Sequence, residues 1–191
     1  MPRRMLLAVV ALLAVLTVPL TGGRLGRLAD VSFRAPGLAI GGLAAQVLVV
    51  SIFPGLPGWL AITIHLGSYA AVLGFIWCNR SLPGLWLVGL GGLSNLLAIA
   101  ANGGVMPASA AALRTAGRSA TEQGFTNSEV VAHPRLAFLG DVLPLPSWVP
   151  FANVFSIGDV LIAVGVFMLV HGICRGRGVS APQAVSGSAS H

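Results

Sequence analysis

The sequence predicts an all-α protein, a compact bundle of five transmembrane helices with one long extracytoplasmic loop. Three observations carry that reading. Apolar residues make up 55% of the 191 and charged residues 8%, against roughly 25% charged in a soluble domain, so too few charges remain to wet a globule of this size. Five apolar runs each approach the ~20 residues needed to cross ~30 Å of hydrocarbon. None alternates with period two, as barrel strands do, and backbone groups in lipid must then be satisfied within helices.

The runs are about 5–20, 37–53, 59–77, 85–101 and 156–174. The first follows Arg3 and Arg4 and has the basic start and apolar middle of a signal peptide. No small-residue cleavage site follows it, because the chain reads Val18-Pro19-Leu20-Thr21-Gly22-Gly23, so it is read as a retained helix. Residues 1–174 form a single domain, 102–155 its outer loop. Residues 175–191, rich in Ser, Ala and Gly, are expected to be a disordered cytoplasmic tail.

All eleven basic residues are arginine. They flank apolar runs, as topology signals do, and form no basic stripe, so nucleic acid is not an expected partner. The only cysteines, Cys78 and Cys174, form no C-x-x-C, which argues against a zinc site or disulfide framework. No cofactor or metal is expected. Arg24, Arg27, Arg34, Arg80, Arg175 and Arg177 fall in short connections or at helix ends on one side, with Arg3 and Arg4 on the other together with Arg114, Arg118 and Arg135 in the long loop, mostly far from the helix ends. Counting short loops therefore places the N-terminus outside, the C-terminus in the cytoplasm and the long loop outside the cell membrane. Between Gly22 and Pro36, Leu25, Leu28, Val31 and Phe33 interleave with Arg24, Arg27, Asp30 and Arg34, which suits a short stretch lying in the cytoplasmic interface.

Lipid provides no hydrophobic drive for helix association, so small residues and hydrogen bonds must hold the bundle. Three stripes fit that need: Gly37, Gly41 and Ala45; Gly84, Gly91, Asn95, Ala98 and Asn102; and Gly158, Gly165 and Gly172. Polar residues inside the runs are candidate binding groups: Gln46, His65 with Ser68 and Tyr69 on one face, and Asn95. They are read either as a polar path or as interhelical hydrogen bonds.

The outer loop opens Asn102-Gly103-Gly104-Val105-Met106-Pro107. Gly103 is expected in the left-handed position ending the fourth helix, and Ala108 to Ala116 as a short helix stopped by Gly117. Alternatively, Asn102, Gly103 and Gly104 form a backbone nest for an anion. The stretch His133 to Trp148 is too apolar for a solvated loop and too rich in proline to span, so it is expected to lie on the outer interface. Ser156-Ile157-Gly158-Asp159 approximates a capping box. The chemical alternative gathers His133, Asp141 and Asp159 beside Asn102 as acid, base or cation ligands.

The order of these pieces resembles a known family. Gly23-Arg24-Leu25-x-Arg27-Leu28-Ala29 precedes Asn95 and Asn102-Gly103-Gly104-x-Met106-Pro107. The His133 region, Leu139-Gly140-Asp141 and Phe155-Ser156-Ile157-Gly158-Asp159 then follow. Together they resemble an uncharacterised family of small bacterial multi-pass membrane proteins, from actinobacteria and clostridia, defined as a domain of unknown function. The likeness covers the chain up to about Cys174. It implies architecture and membrane location, and draws attention to Asn102, Asp141 and Asp159.

Three functions compete. The expected one is a non-enzymatic accessory or assembly subunit whose outer loop docks a membrane-protein partner, a lipid or a second copy of the chain. The second is an outer-leaflet enzyme using His133, Asp141 and Asp159. The third is a small transporter or channel along Gln46, His65, Tyr69 and Asn95.

Overall fold

The computed structural model describes residues 2–53, 55–118, 128–150 and 152–177. The chain is mainly helical, with six α-helices and four short strands among these residues. The helices are α1 Pro2–Thr17, α2 Pro36–Val47, α3 Gly58–Cys78, α4 Leu85–Ala101, α5 Ala110–Thr115 and α6 Ile157–Cys174. Two of them, α3 with 21 residues and α6 with 18, are long and apolar enough to cross a membrane. The other three apolar helices are shorter by that measure. The second run, expected as one helix to residue 53, leaves α-geometry at Val47 and continues as a wider turn over Leu48–Ile52. The expected tail lies, apart from residues 175–177, outside the described residues.

The principal contacts run in the order α2, α3, α4, α6, α1. Hydrogen bonds between connections bring the arginine-rich ends together. The N–H of Arg24, after α1, donates to the last carbonyl of α6, Cys174 O, at 2.9 Å. The entry to α2 is bonded to the residue that ends α3. Gly172, near the end of α6, abuts Pro83 just before α4.

The α4–α6 contact is built on glycine. A Cβ on Gly165 would lie 2.7 Å from the backbone nitrogen of Val88 and 2.8 Å from Gly84 O. One on Gly158 would lie 2.6 Å from Gly91 O, and one on Gly84 would lie 2.5 Å from Gly165 O. The seven-residue spacing of Gly158, Gly165 and Gly172 therefore marks three levels of close approach, as the stripes on these helices predicted. On α2 the prediction needs correction. Gly37 and Gly41 face open space, and Gly42 makes the approach, with a would-be Cβ 2.8 Å from Ser68 O of α3. The stripe was placed one residue, hence about 100° of helix rotation, from the packed face.

The loop after α4 has more structure than its composition predicted. Strand β1 (Met106–Pro107) pairs in parallel with β2 (Ser128–Glu129), and β3 (Leu143–Leu145) pairs antiparallel with β4 (Asn153–Phe155). Met106 is buried against Ala98 and Ile99 of α4, which seats the loop on that helix end. The short helix α5 matches the Ala-rich stretch. Its N-cap is Ser109, whose hydroxyl accepts from Ala112 N at 3.4 Å, and Gly117 (φ 67°) follows it.

Gly165→Val should destabilise the protein by about 1–3 kcal/mol, the range for overpacking, in a denaturant titration of detergent-solubilised protein. Gly41→Val, on the open face of α2, should shift the same midpoint by no more than about 0.5 kcal/mol.

Candidate functional site

The capping box at the start of α6 is complete. Asp159 N donates to Ser156 Oγ at 2.9 Å and Ser156 N donates to Asp159 Oδ2 at 3.1 Å. Asn95, halfway along α4, joins both side chains. Its Nδ2 donates to Asp159 Oδ1 at 2.9 Å, and Ser156 Oγ donates to its Oδ1 at 2.8 Å. Asn95 and Ser156 are buried. Gly158 makes this ring geometrically feasible, because a side chain there would strike the Asn95 amide. The ring thus ties a cap, a seam and a mid-helix amide into one unit, in which Asp159 uses both carboxylate oxygens as acceptors.

Asn102 caps α4 and holds the loop. Its Nδ2 donates to Ala98 O at 2.7 Å and to Arg135 O at 2.8 Å, while Arg135 N donates to its Oδ1 at 2.8 Å. The amide thus pairs with one peptide as a neighbouring strand would. Gly103 and Gly104 have φ of 69° and 96°. The expected left-handed helix end is present, and Gly104 N–H donates to Ile99 O at 2.9 Å, so it is spent on the helix end instead of facing outward as a nest.

An equivalent arrangement stands at the other end of the molecule, centred on Asn79, which the sequence did not single out. Asn79 follows α3 and is buried. Its Nδ2 donates to Phe75 O and to Arg34 O, both at 2.8 Å, and Arg34 N donates to its Oδ1 at 2.8 Å. In both places the clamped arginine precedes a non-glycine residue with positive φ, Ala35 (50°) and Leu136 (51°). That conformation costs roughly 1–3 kcal/mol and persists where its surroundings fix it. The two-way asparagine clamp supplies the fixing, and a helical segment starts at the next residue each time.

The remaining candidates occupy separate places. His65 and Ser68 are buried on α3, and Ser68 Oγ donates to His65 O at 2.6 Å. Tyr69 meets His65 edge-on, with ring centroids 5.4 Å apart, and packs on Ala98, Ile99 and Met106. Gln46 is half-buried on α2. Asn95 is engaged in the α4–α6 seam. His133 is exposed, whereas Asp141 is wholly buried. Asp141 belongs to the loop framework, with its N–H donating to Pro107 O at 2.8 Å and its carbonyl accepting from Ser109 N at 3.0 Å. Among the described residues no three His, Cys, Asp or Glu side chains gather in a group that could hold a metal.

His171 is a further buried polar group that sequence reasoning missed. Its Nε2 and Nδ1 each lie 3.0 Å from a threonine hydroxyl, Thr17 and Thr21 respectively. Phe167 stacks on the ring at 4.3 Å. This is the polar fastening between α1 and α6. A histidine near the end of an apolar run reads as a helix terminus, and only the threonines four residues apart signal a partner.

The fold and its polar fastenings define an all-helical-core protein capped by a small mixed loop structure. The chain belongs to the family of unknown function DUF5317, which matches residues 30–171. The match starts after the Gly23 to Ala29 segment, which therefore carries no part of it. The chain is also similar to an uncharacterized protein of Thermotoga maritima, 29% identical over 128 residues, or 66% of this chain and 70% of that one. No solved structure matches.

Two measurements test the site. A double-mutant cycle of Asn95→Ala with Ser156→Ala should give a coupling energy of about 0.5–2 kcal/mol, within the range for side chains in direct hydrogen-bonded contact. Asn102→Ala should speed amide hydrogen exchange in residues 133–140 while leaving α3 protected.

Proposed function

We propose that the protein is an integral membrane component without catalytic activity, an accessory or assembly subunit whose outer loop docks a partner. In this reading α1, α2 with its wider final turn, α3, α4 and α6 are the five spans. The N-terminus and the 102–155 loop lie outside, and residues 175–191 lie in the cytoplasm. The shorter helices reach the interfaces through their flanking turns, such as Pro19–Thr21 after α1. The exposed Trp77 and Trp86 at the arginine-rich end and Trp59 and Trp148 at the other suit the two aromatic belts of a bilayer. The Asn102-Gly103-Gly104-x-Met106-Pro107 and Ser156-x-Gly158-Asp159 segments are taken as the family's framework for the loop.

The observation that carries the reading is where the polar groups are spent. Asp159 and Asn95 hold the α6 cap, Asn102 holds the loop, and Asp141 is enclosed within it. His133 is exposed whereas Asp141 is wholly buried in the loop, which favours the docking reading over one that needs the two side chains at a common surface. Of the polar path along Gln46, His65, Tyr69 and Asn95, the Asn95 amide is bonded to Ser156 and Asp159 across the α4–α6 contact, which favours a fastening role for it. Among its exposed residues the loop carries two large aromatic ones, Phe138 and Trp148, 63% and 83% exposed, beside the polar Arg114, Glu129, His133 and Arg135. Exposed apolar surface of this kind marks an interaction site.

The topology predicts that Trp148→Cys is labelled by a membrane-impermeant maleimide in intact cells, and Arg177→Cys only after permeabilisation. The reverse pattern would invert the orientation. A photo-crosslinker at Phe138 should capture one protein or lipid species at higher yield than the same group at Leu43 on α2. Turnover, or stoichiometric metal lost on Asp159→Asn, would refute the non-catalytic reading.

A further inference from the structure

The arginine-rich end carries Arg24, Arg27, Arg34, Arg80, Arg175 and Arg177 against one carboxylate, Asp30. These arginines are not equivalent. Arg27 Nη1 donates to Cys174 O at 3.0 Å and Arg175 Nε donates to Thr21 O at 3.3 Å, so both close the joint between α1 and α6. Arg34 and Arg80 are drawn together differently. The two-way bond between Asn79 and the Arg34 peptide places the backbone of Arg34 beside the residue that immediately precedes Arg80. Neither guanidinium has an acidic partner among the described residues. Arg80 lies over Trp77, 4.7 Å from its ring centroid, and spends one N–H on Trp77 O at 3.0 Å. A guanidinium has five N–H donors in a planar fork, so most of that fork is left for another acceptor. Phe33, beside Arg34, is braced by Phe75 at 5.7 Å and is 41% exposed, and Trp77 is 69% exposed. Two cations with unfilled donors thus stand on neighbouring segments, Arg34 next to the exposed Phe33 in sequence and Arg80 over the exposed Trp77, and exposed aromatic rings of this kind rest at headgroup depth in a bilayer.

We propose that Arg34 and Arg80 form a binding site for the phosphate of acidic phospholipids in the cytoplasmic leaflet. The proposal rests on the membrane-spanning reading given above. Phosphate matches the guanidinium fork in shape and charge. Basic groups next to a span attract acidic lipids over zwitterionic ones. Phe33 and Trp77 supply the apolar flanks for the first acyl carbons. The Asn79 clamp and the strained Ala35 behind it fix the Arg34 backbone before any lipid arrives, so the site is organised in advance.

The test uses the full chain reconstituted into nanodiscs of mixed phosphatidylglycerol and phosphatidylcholine, re-extracted in mild detergent and weighed by native mass spectrometry. Wild type should retain phosphatidylglycerol in preference to phosphatidylcholine. Arg34→Gln with Arg80→Gln should reduce that preference by about tenfold or more, while Arg114→Gln at the opposite end leaves it unchanged. An unchanged denaturation midpoint for the double variant separates lost binding from lost folding. Wild type carrying both lipids in proportion to the mixture would overturn the site, whatever the variants do, and so would preference surviving the double substitution. Failure of the protein to enter bilayers at all would instead refute the membrane reading on which the site depends.

Discussion

Along the α4–α6 contact the two backbones meet at two levels, Gly158 against Gly91 and Gly165 against Gly84, and Gly172 admits the ring of Pro83 just before α4. Packing without side chains places carbonyl and Cα groups of one helix directly on the other, the arrangement that holds helices together where no hydrophobic force acts between them. The requirement is unforgiving. The atoms facing Gly84 and Gly165 are largely backbone, which cannot swing aside as a flexible side chain can. The same proximity brings Asn95 within reach of Ser156 and Asp159, since a side chain at 158 would occupy the position of the amide. Close packing and the polar ring are therefore one constraint, and the order of the remaining helices follows from it. Helix α6 carries α1 through His171, and α4 carries α3 and the loop.

The two asparagine clamps extend that frame to both ends. Each asparagine closes its own helix by donating to a carbonyl four residues back, then pairs with both backbone groups of a distant arginine. A backbone segment far from regular structure thereby acquires the partners it would otherwise take from water. The left-handed Ala35 and Leu136 that follow show where the benefit goes. Each turn redirects the chain sharply into the next helical segment, a geometry glycine would adopt at no steric cost. With alanine and leucine there, the clamp has to oppose the strain. At the α2 end this fixes Arg34; at the α4 end it fixes the loop segment that leads to the exposed Phe138.

Much of this was legible in the sequence because it depends on spacing along a single helix. The fourth run was read with its observed limits, and the α6 glycines stand at seven-residue intervals. Ser156 and Asp159 form a local pattern three residues apart. Ala110–Thr115 follows from composition and a nearby glycine. What was not legible depends on pairing between segments far apart. Asn79 lies 45 residues from its arginine and His171 lies 154 from Thr17, and no periodicity links such partners. The shift from Gly41 to Gly42 has a related cause. An apolar helix with glycine at both positions presents no polar face from which to infer rotation, and the packed side is decided by α3. The short strands were missed because two or three residues are too few for alternation to register.

The chemistry suggested by His133, Asp141 and Asp159 rested on their shared scarcity in an apolar chain. Scarcity has a structural explanation once the partners are known. A carboxylate drawn out of water must be hydrogen-bonded or it costs more than the fold can spare, and the cap of α6 gives the Asp159 carboxylate two such bonds, from Asn95 Nδ2 and from the Ser156 N–H. That arrangement also sets the carboxylate at the positive end of an 18-residue helix, where negative charge is favoured. Asp141 is sequestered in the same spirit, between Pro107 and Ser109 at the base of the loop. The polar groups that remain outward are cations at one end, where Arg34 and Arg80 keep unused donors. At the other end the exposed aromatic groups Phe138 and Trp148 stand among exposed polar ones, Arg114, Glu129, His133 and Arg135. The proposed lipid-binding and docking roles rest on that distribution.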